Sequence, residues 1–315
     1  MPAAQRAPLP GQRWHFQHGP IDIVIGADGE SDAVQAAHAA AWARFQTVLD
    51  ELVAELPQLR QPVPAGAAAC PLQGAVARRM WAACAPLVAD ETDGHLTPMA
   101  AVAGAVAQEL VAHYQRAGIQ RAWINNGGDI ALHLAPGAQL RVGLFADLAC
   151  FDADLAARTL LGSLRTDAGF VLHASGPVRG VATSGWRGRS HSRGIADSVT
   201  VLAATAAQAD AAATVIANAV DVDHPAVQRR PAHSLRDDSD LGARRVTVDV
   251  PPLPAGAVQQ ALQRGMACAQ RLQARGLVQG ALLVCQGVVA RLDRAPPLER
   301  VLVPDVQHSA GAMLA

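Results

Sequence analysis

GVATSGWRGRSHSRGIADSVTVLAATAAQADAAATVIANAV, residues 180–220, is the stretch around which the rest of the 315-residue chain is read. A polar loop rich in Gly and Arg passes into an apolar strand, expected over Ile195–Ala203, and then into an Ala-rich helix. The loop from Thr183 to Gly194 gathers Arg187, Arg189 and Arg193 with the hydroxyls of Thr183, Ser184, Ser190 and Ser192, and it also holds Trp186 and His191. Arginine forks match phosphate oxygens two bonds at a time, glycines let a loop fold around a diphosphate, and Trp186 suits stacking on a planar ring. An exposed basic loop with no ligand has the same composition, so two readings stand. Thr205 with Gln208 makes a capping-box start for the helix. On that helix Asp210 and Thr214 lie one turn apart over a surface of alanines. Such a pair offers hard oxygen ligands of the kind Mg²⁺ takes, and equally describes an ordinary solvated helix face.

Outward from this stretch, composition sets the bounds. Half the residues are hydrophobic, 3% aromatic and 17% charged, so the interior is built of Ala, Val and Leu. The formal net charge of −1 gives no global field to draw nucleic acid or an anionic membrane, and any anion site must be local. Five scattered cysteines without a Cys-x-x-Cys pair argue against a disulfide framework or a zinc ribbon. The N-terminal MPAAQRAPLPGQRW has no apolar h-region and no later apolar run reaches membrane-spanning length, which predicts a cytoplasmic protein.

In chain order, Trp14–Phe16 and Ile21–Ile25 predict an antiparallel pair of strands. Ser31 is the expected cap of a helix over 32–56 that Pro57 ends. A second helix is expected over Gly74–Ala85. Thr97 with Pro98 should open a third, whose first turns contain almost nothing larger than Val and so permit close approach of a backbone or a ligand. Asn125-Asn126-Gly127-Gly128-Asp129 between two apolar runs is a tight-hairpin signal. The same turn exposes backbone N–H groups to an anion, with Asp129 placed to hold a hydroxyl or amine, and the two roles are compatible. Strands are expected at Leu140–Phe145, Phe170–His173 and Gly180–Thr183, with a short helix at Asp152–Leu161. The acidic runs Asp221–His224 and Asp237–Asp240 read as turns. Arg244–Val250 is an expected strand, Ala255–Arg275 a helix, and Leu277–Cys285 pairs with Val288–Leu292. This alternation predicts an α+β fold, antiparallel sheets covered by long helices, and no Gly-x-Gly-x-x-Gly opens a βαβ unit.

Four segments in order, Thr97–Glu109, Ile124–Ile130, the Gly180–Ala203 run and Ala209–Thr214, together resemble the ApbE-like superfamily, which includes the FAD:protein FMN transferases, and more closely an uncharacterised branch of it. The resemblance covers roughly residues 90–220. It implies a duplicated, T-fold-like architecture in which residues 1–300 form one domain of two intimately packed α+β halves, followed by a poorly ordered tail over 301–315. It implies FAD or FMN as the bound nucleotide, with contacts at Asn126, Gly127, Gly128, Asp129, Thr183 and Ser184, to which the loop chemistry above adds Trp186, Arg187 and Arg189 as candidates. It implies Mg²⁺ on Asp210 and Thr214 with the Ala213 carbonyl nearby, and it favours the metal reading of Asp210. The family's His-x-x-Asp-Pro-x-Thr-Gly segment is replaced here by a shorter one in which His191 stands in for the histidine and the Asp-Pro pair is missing. FMN transfer is therefore not expected to survive, while a role on the flavin diphosphate or as a flavin-dependent redox protein is. The alternatives are a non-catalytic binding protein on the same scaffold and an enzyme acting on a small heteroaromatic ring. The expected partner is a small nucleotide, with no nucleic acid and no membrane, and a homo-oligomer is compatible with all of this.

Overall fold

The computed structural model describes residues 3–66, 69–91, 93–144, 168–188 and 190–292. The helix expected at Asp152–Leu161, the tail, Cys150 and Arg189 lie outside them. Among the described residues the centre is a nine-stranded, wholly antiparallel sheet. It is built from β1 (Gln5–Leu9), β2 (Arg13–His18), β3 (Ile21–Gly29), β4 (Ile119–Asn126), β5 (Asp129–Leu134), β8 (Gly180–Ser184), β9 (Ser198–Ala203), β12 (Gly280–Cys285) and β13 (Val288–Leu292), adjacent in that order. Two-stranded ribbons form from β6 (Gln139–Leu144) with β7 (Ala168–His173), and from β10 (Gln228–Pro231) with β11 (Arg245–Asp249).

The helices are α1 (Ser31–Ala54), α2 (Leu56–Leu59), α3 (Ala75–Cys84), α4 (Val102–Val111), α5 (Ala206–Ala219) and α6 (Ala255–Ala274). They share one core with the helix-facing side of the sheet, including Val199, Val201 and Ala203 of β9. Leu202 of the same strand points the other way, into a second cluster with Val181, Ile130, Leu132 and the β6–β7 ribbon residues Leu140, Val142, Phe170 and Leu172. The fold is α+β as expected, with helices on one face and a β ribbon on part of the other. β9, SVTVLA, is buried at every position, so Ser198 and Thr200, which alternate with Val199 and Val201, are buried polar residues.

The alanines of α5 have a packing reason. Ala209, Ala211, Ala212 and Ala213 are all buried, and α4 crosses α5 so closely that a Cβ on Gly104 would stand 2.3 Å from the Ala206 carbonyl oxygen. Only a glycine lets the two backbones approach this far.

Several expectations are corrected. Ser31 is the first residue of α1 and caps nothing; the N-cap position is Glu30, without a side-chain bond. Pro57 does not stop helical structure but sits in the first turn of α2. Thr97 and Pro98 open a 3₁₀ turn over Pro98–Ala101 ahead of α4, and the Thr97 hydroxyl makes no cap. β1 and β10 have no counterpart in the expected strands. Both carry a proline, which a sheet tolerates at an edge, and neither shows apolar alternation.

Candidate functional site

The glycine turn is the first wall of the site. β4 and β5 pair down to Asn126 opposite Asp129, leaving Gly127 and Gly128 as a two-residue turn with φ of +67° and +112°. Both residues need the left-handed region, which is why the sequence has Gly-Gly there. Asn125 accepts the Gly128 N–H at 2.8 Å through Oδ1, and Asn126 donates from Nδ2 to the Ala103 carbonyl at 3.1 Å. The turn is thus tied to the start of α4. Asp129 Oδ1 accepts the Thr183 N–H at 3.2 Å, and the Thr183 hydroxyl lies 2.9 Å from that of Thr200, so the ends of β5, β8 and β9 are joined by side chains. Ser184 closes β8, half-buried.

Asp210 is the second wall. Of the two readings left open for its helix face, the solvated one does not hold: Asp210 is half-buried, and its Oδ2 accepts the Gly104 N–H at 2.8 Å in the first turn of α4. Burial pushes its carboxyl up to about 7, against the opposing pull of the Gly104 and Ala103 N–H groups. Thr214, one turn on, is also half-buried, and Ala213 between them is buried. Among the described residues no cluster of three or more His, Cys, Asp or Glu is placed to hold a metal ion.

The Arg-rich loop follows β8 directly. Arg187 lies over the Trp186 ring at 4.7 Å, and Trp186 Nε1 donates to Asp197 Oδ1 at 3.3 Å. One face of the ring expected to stack on a ligand is therefore covered by a guanidinium from the next residue. Arg193 points inward to a salt bridge with the buried Glu91 and another with Asp93 at 2.6 Å. Asn218 ties this pair to the loop, donating to Glu91 at 2.9 Å and accepting the Arg193 N–H at 2.9 Å. Of the three arginines expected to meet phosphate, Arg193 is thus spent on structure.

His191 is half-buried, and its Nε2 is buried without a hydrogen-bond partner among the described residues. Burial lowers its pKa, as does the Arg236 charge, while Asp240 opposes both. At neutral pH the ring is an uncharged imidazole able to accept a proton.

A family described as AbpE bacteria matches residues 6–291. The chain belongs to that family. Among curated proteins this AbpE-family chain is similar to the UPF0280 protein of Methanopyrus kandleri, 36% identical over 220 residues, which are 69% of this chain and 78% of that one. It is 43% identical to the UPF0280 protein of Methanothermobacter thermautotrophicus over 125 residues, 39% of this chain and 43% of the relative, so the chain spans less than half the length of that relative. Among solved structures it is similar to the ApbE protein of Thermotoga maritima, with a TM-score of 0.47 and 11% identity over 89% of this chain and 97% of that one. It is similar also to the flavinyl transferase ApbE of Pseudomonas stutzeri in its apo form, with a TM-score of 0.42 and 13% identity over 92% and 93%. No helix among the described residues of the AbpE-family chain is long and apolar enough to cross a membrane.

Three residues of the site escaped the sequence reading. Gly104 was visible only as part of a small-residue helix start. Asp197, 9% exposed, accepts from Trp186 and from the Gln286 N–H, which fixes the loop end. Asp240, in an acidic run that reads as a turn, accepts the Thr97 hydroxyl across 143 residues of sequence.

Proposed function

We propose that the chain binds a flavin nucleotide, FAD or FMN, together with Mg²⁺, where the Gly127–Gly128 turn, the ends of β5 and β8 and the first turn of α4 meet. The observation that carries this is the bond from the Thr183 N–H to Asp129, which makes neighbours of two motifs 54 residues apart, both of them flavin contacts by family resemblance. Asn126 and Asp210 bring α4 to the same place.

The residues fit the metal in a specific way. The Asp210 carboxylate, the Thr214 hydroxyl and the Ala213 carbonyl are hard oxygen donors suited to Mg²⁺, but one carboxylate is too few to hold the ion alone. Mg²⁺ would bind with the nucleotide, its coordination completed by diphosphate oxygens, whose charge it would neutralise. An Asp210 carboxyl near pH 7 suits such a site, because ion binding draws off its proton and couples affinity to pH. Arg187, carried on Trp186, offers phosphate a charged fork, and His191 offers a neutral imidazole as proton acceptor. With the loop shortened, we favour action on the diphosphate, or retention of the flavin as a redox cofactor, over transfer of FMN.

Isothermal titration calorimetry with FAD in MgCl₂ and in EDTA tests this, alongside the absorbance spectrum of the protein as purified. Binding is expected to be stronger with Mg²⁺, and the gain should vanish in Asp210→Ala. Equal affinity in both buffers would overturn the metal assignment, and no binding in either would overturn the flavin assignment.

A further inference from the structure

The turn between β12 and β13 holds a glutamine where a two-residue hairpin favours glycine or asparagine. Gln286 has φ of +46° and Gly287 of +77°, and a residue with a Cβ is uncommon in that left-handed region. The side chain gives the reason. Gln286 Oε1 accepts the Leu253 N–H at 2.9 Å and Nε2 donates to the Pro251 carbonyl at 2.7 Å, which ties the hairpin to the segment leading into α6. With the turn fixed in this way, the Gln286 N–H donates to Asp197 Oδ2. Asp197 is held by its backbone as well, its N–H donating to the Val284 carbonyl at 2.9 Å.

The other carboxylate oxygen of Asp197 serves the arginine loop. Oδ1 accepts Trp186 Nε1–H at 3.3 Å, while the Trp186 main-chain N–H donates to the Ala196 carbonyl at 3.0 Å. The Gly188 N–H closes on the Gly185 carbonyl at 3.1 Å, so residues 185–188 are a four-residue turn with Trp186 and Arg187 at its centre. The turn lies directly on Asp197, since a Cβ on Gly185 would stand 2.3 Å from the Asp197 carbonyl oxygen. The indole packs on the main core, and the exposed Arg187 carries its guanidinium 4.7 Å from the ring centre. An exposed arginine ordinarily loses much side-chain freedom when it captures an anion; stacked on a ring held by two bonds, it has given up part of that freedom beforehand. The turn starts at the residue after Ser184, the end of β8, and two residues beyond Thr183, whose N–H Asp129 accepts.

We propose that Asp197 is a positioning residue for Arg187: through the Trp186 indole it presents the guanidinium as a preformed clamp for a phosphate group at the end of β8. Gln286 holds the carboxylate in place for that task. The ligand chemistry rests on the nucleotide reading above, and the test separates the two.

Isothermal titration calorimetry of the full chain with inorganic pyrophosphate gives the affinity of the clamp without a flavin ring. Trp186→Phe keeps an aromatic face beneath Arg187 and removes only the donor to Asp197; it should weaken binding about tenfold, as should Asp197→Ala. In an Arg187→Ala background neither change should cost anything further, because both act through that guanidinium. A merely structural role would lower affinity equally in both backgrounds. Should Asp197→Ala fail to fold, Trp186→Phe alone carries the cycle. Unchanged affinity in Trp186→Phe, a loss that persists in the Arg187→Ala background, or no pyrophosphate binding in the wild type overturns the proposal. A chain that takes pyrophosphate through Arg187 but does not bind FAD loses the flavin assignment and keeps this one, whereas a chain that binds FAD and fails the pyrophosphate cycle loses this one alone.

Discussion

The Asp210 carboxylate accepts the backbone N–H of Gly104 at 2.8 Å, capping from outside a helix that begins 108 residues earlier in the chain, since α4 starts at residue 102. Glu55 does the same for α3, accepting the N–H groups of Gln73 and Gly74 at 2.7 Å each. In both places the helix has no side-chain cap of its own, and a distant carboxylate satisfies donors that would otherwise be orphaned.

This bond gives Asp210 a pH signature. Its folded carboxyl titrates near 7, above the roughly 3.9 of an unfolded Asp, so between those values the native chain holds a proton that the unfolded chain releases. Asp210 therefore favours the folded state most at low pH, and that contribution is lost as pH rises through about 7. Asp210→Asn keeps an acceptor for Gly104 but cannot ionise. Thermal unfolding of wild type and variant between pH 5 and 8 should show the variant gaining relative stability with rising pH. Parallel curves would mean that Asp210 titrates as an ordinary surface carboxyl.

Gly104→Ala should be damaging despite its chemical modesty. The added methyl would stand 2.3 Å from a main-chain oxygen of Ala206 and 2.9 Å from the Cβ of Asp210, and the backbone cannot rotate away as a side chain would. Overpacking of this kind costs about 1–3 kcal/mol or more, and here it also pulls Gly104 off Asp210. Urea unfolding measures the loss, and a midpoint within error of wild type would show that α4 and α5 are less tightly apposed.

Gly128→Val should act through the backbone alone. Nothing lies within 4 Å of the position a Cβ would take, but φ is +112°, where a β-branched residue is strained. A cost of about 1–3 kcal/mol is expected. FAD affinity should fall with it, because the strained turn breaks the Gly128 N–H bond to Asn125 and shifts Asn126 and Asp129 on either side of it. A stable variant with unchanged affinity would remove Gly128 from both roles.

Incubation with FAD, Mg²⁺ and a threonine-containing acceptor peptide should leave the peptide without the added mass of FMN. Transfer needs a positioned acceptor hydroxyl and a base, and guanidinium groups do not serve as bases at neutral pH. His191 is a base only by proposal, Arg193 is held on Glu91 and Arg187 on Trp186, and the Asp-Pro pair of the resembled transferases is absent. Mass spectrometry showing FMN on the peptide would make the chain a transferase with a rebuilt loop.

Local signals were legible in the sequence and long-range ones were not. The Asn-Gly-Gly-Asp turn, the Thr205 cap on Gln208 and the β12–β13 hairpin were each written in adjacent residues. β1 was hidden by its proline, and Ser31 drew the cap to itself because its type is right although its position is one residue too far in. For Asp210 the residues of its own helix left a solvated face and a metal ligand both open, because nothing in that helix reveals that α4 lies against it. Asp240 was lost for the same reason, its partner Thr97 being on another segment altogether.

Those separations bear on how the molecule comes into being. The bonds that assemble the site join residues 54, 106 and 143 apart, from Thr183 to Asp129, Gly104 to Asp210 and Thr97 to Asp240. Contacts of such separation carry the larger loop-closure cost, which grows slowly with length, and we expect them to form after the local helices and hairpins. On refolding from urea, far-ultraviolet circular dichroism should recover before any capacity to bind nucleotide. A chain halted late in synthesis, short of Asp240, would lack α6 and β11 to β13, and β9 would be left without β12 at its side.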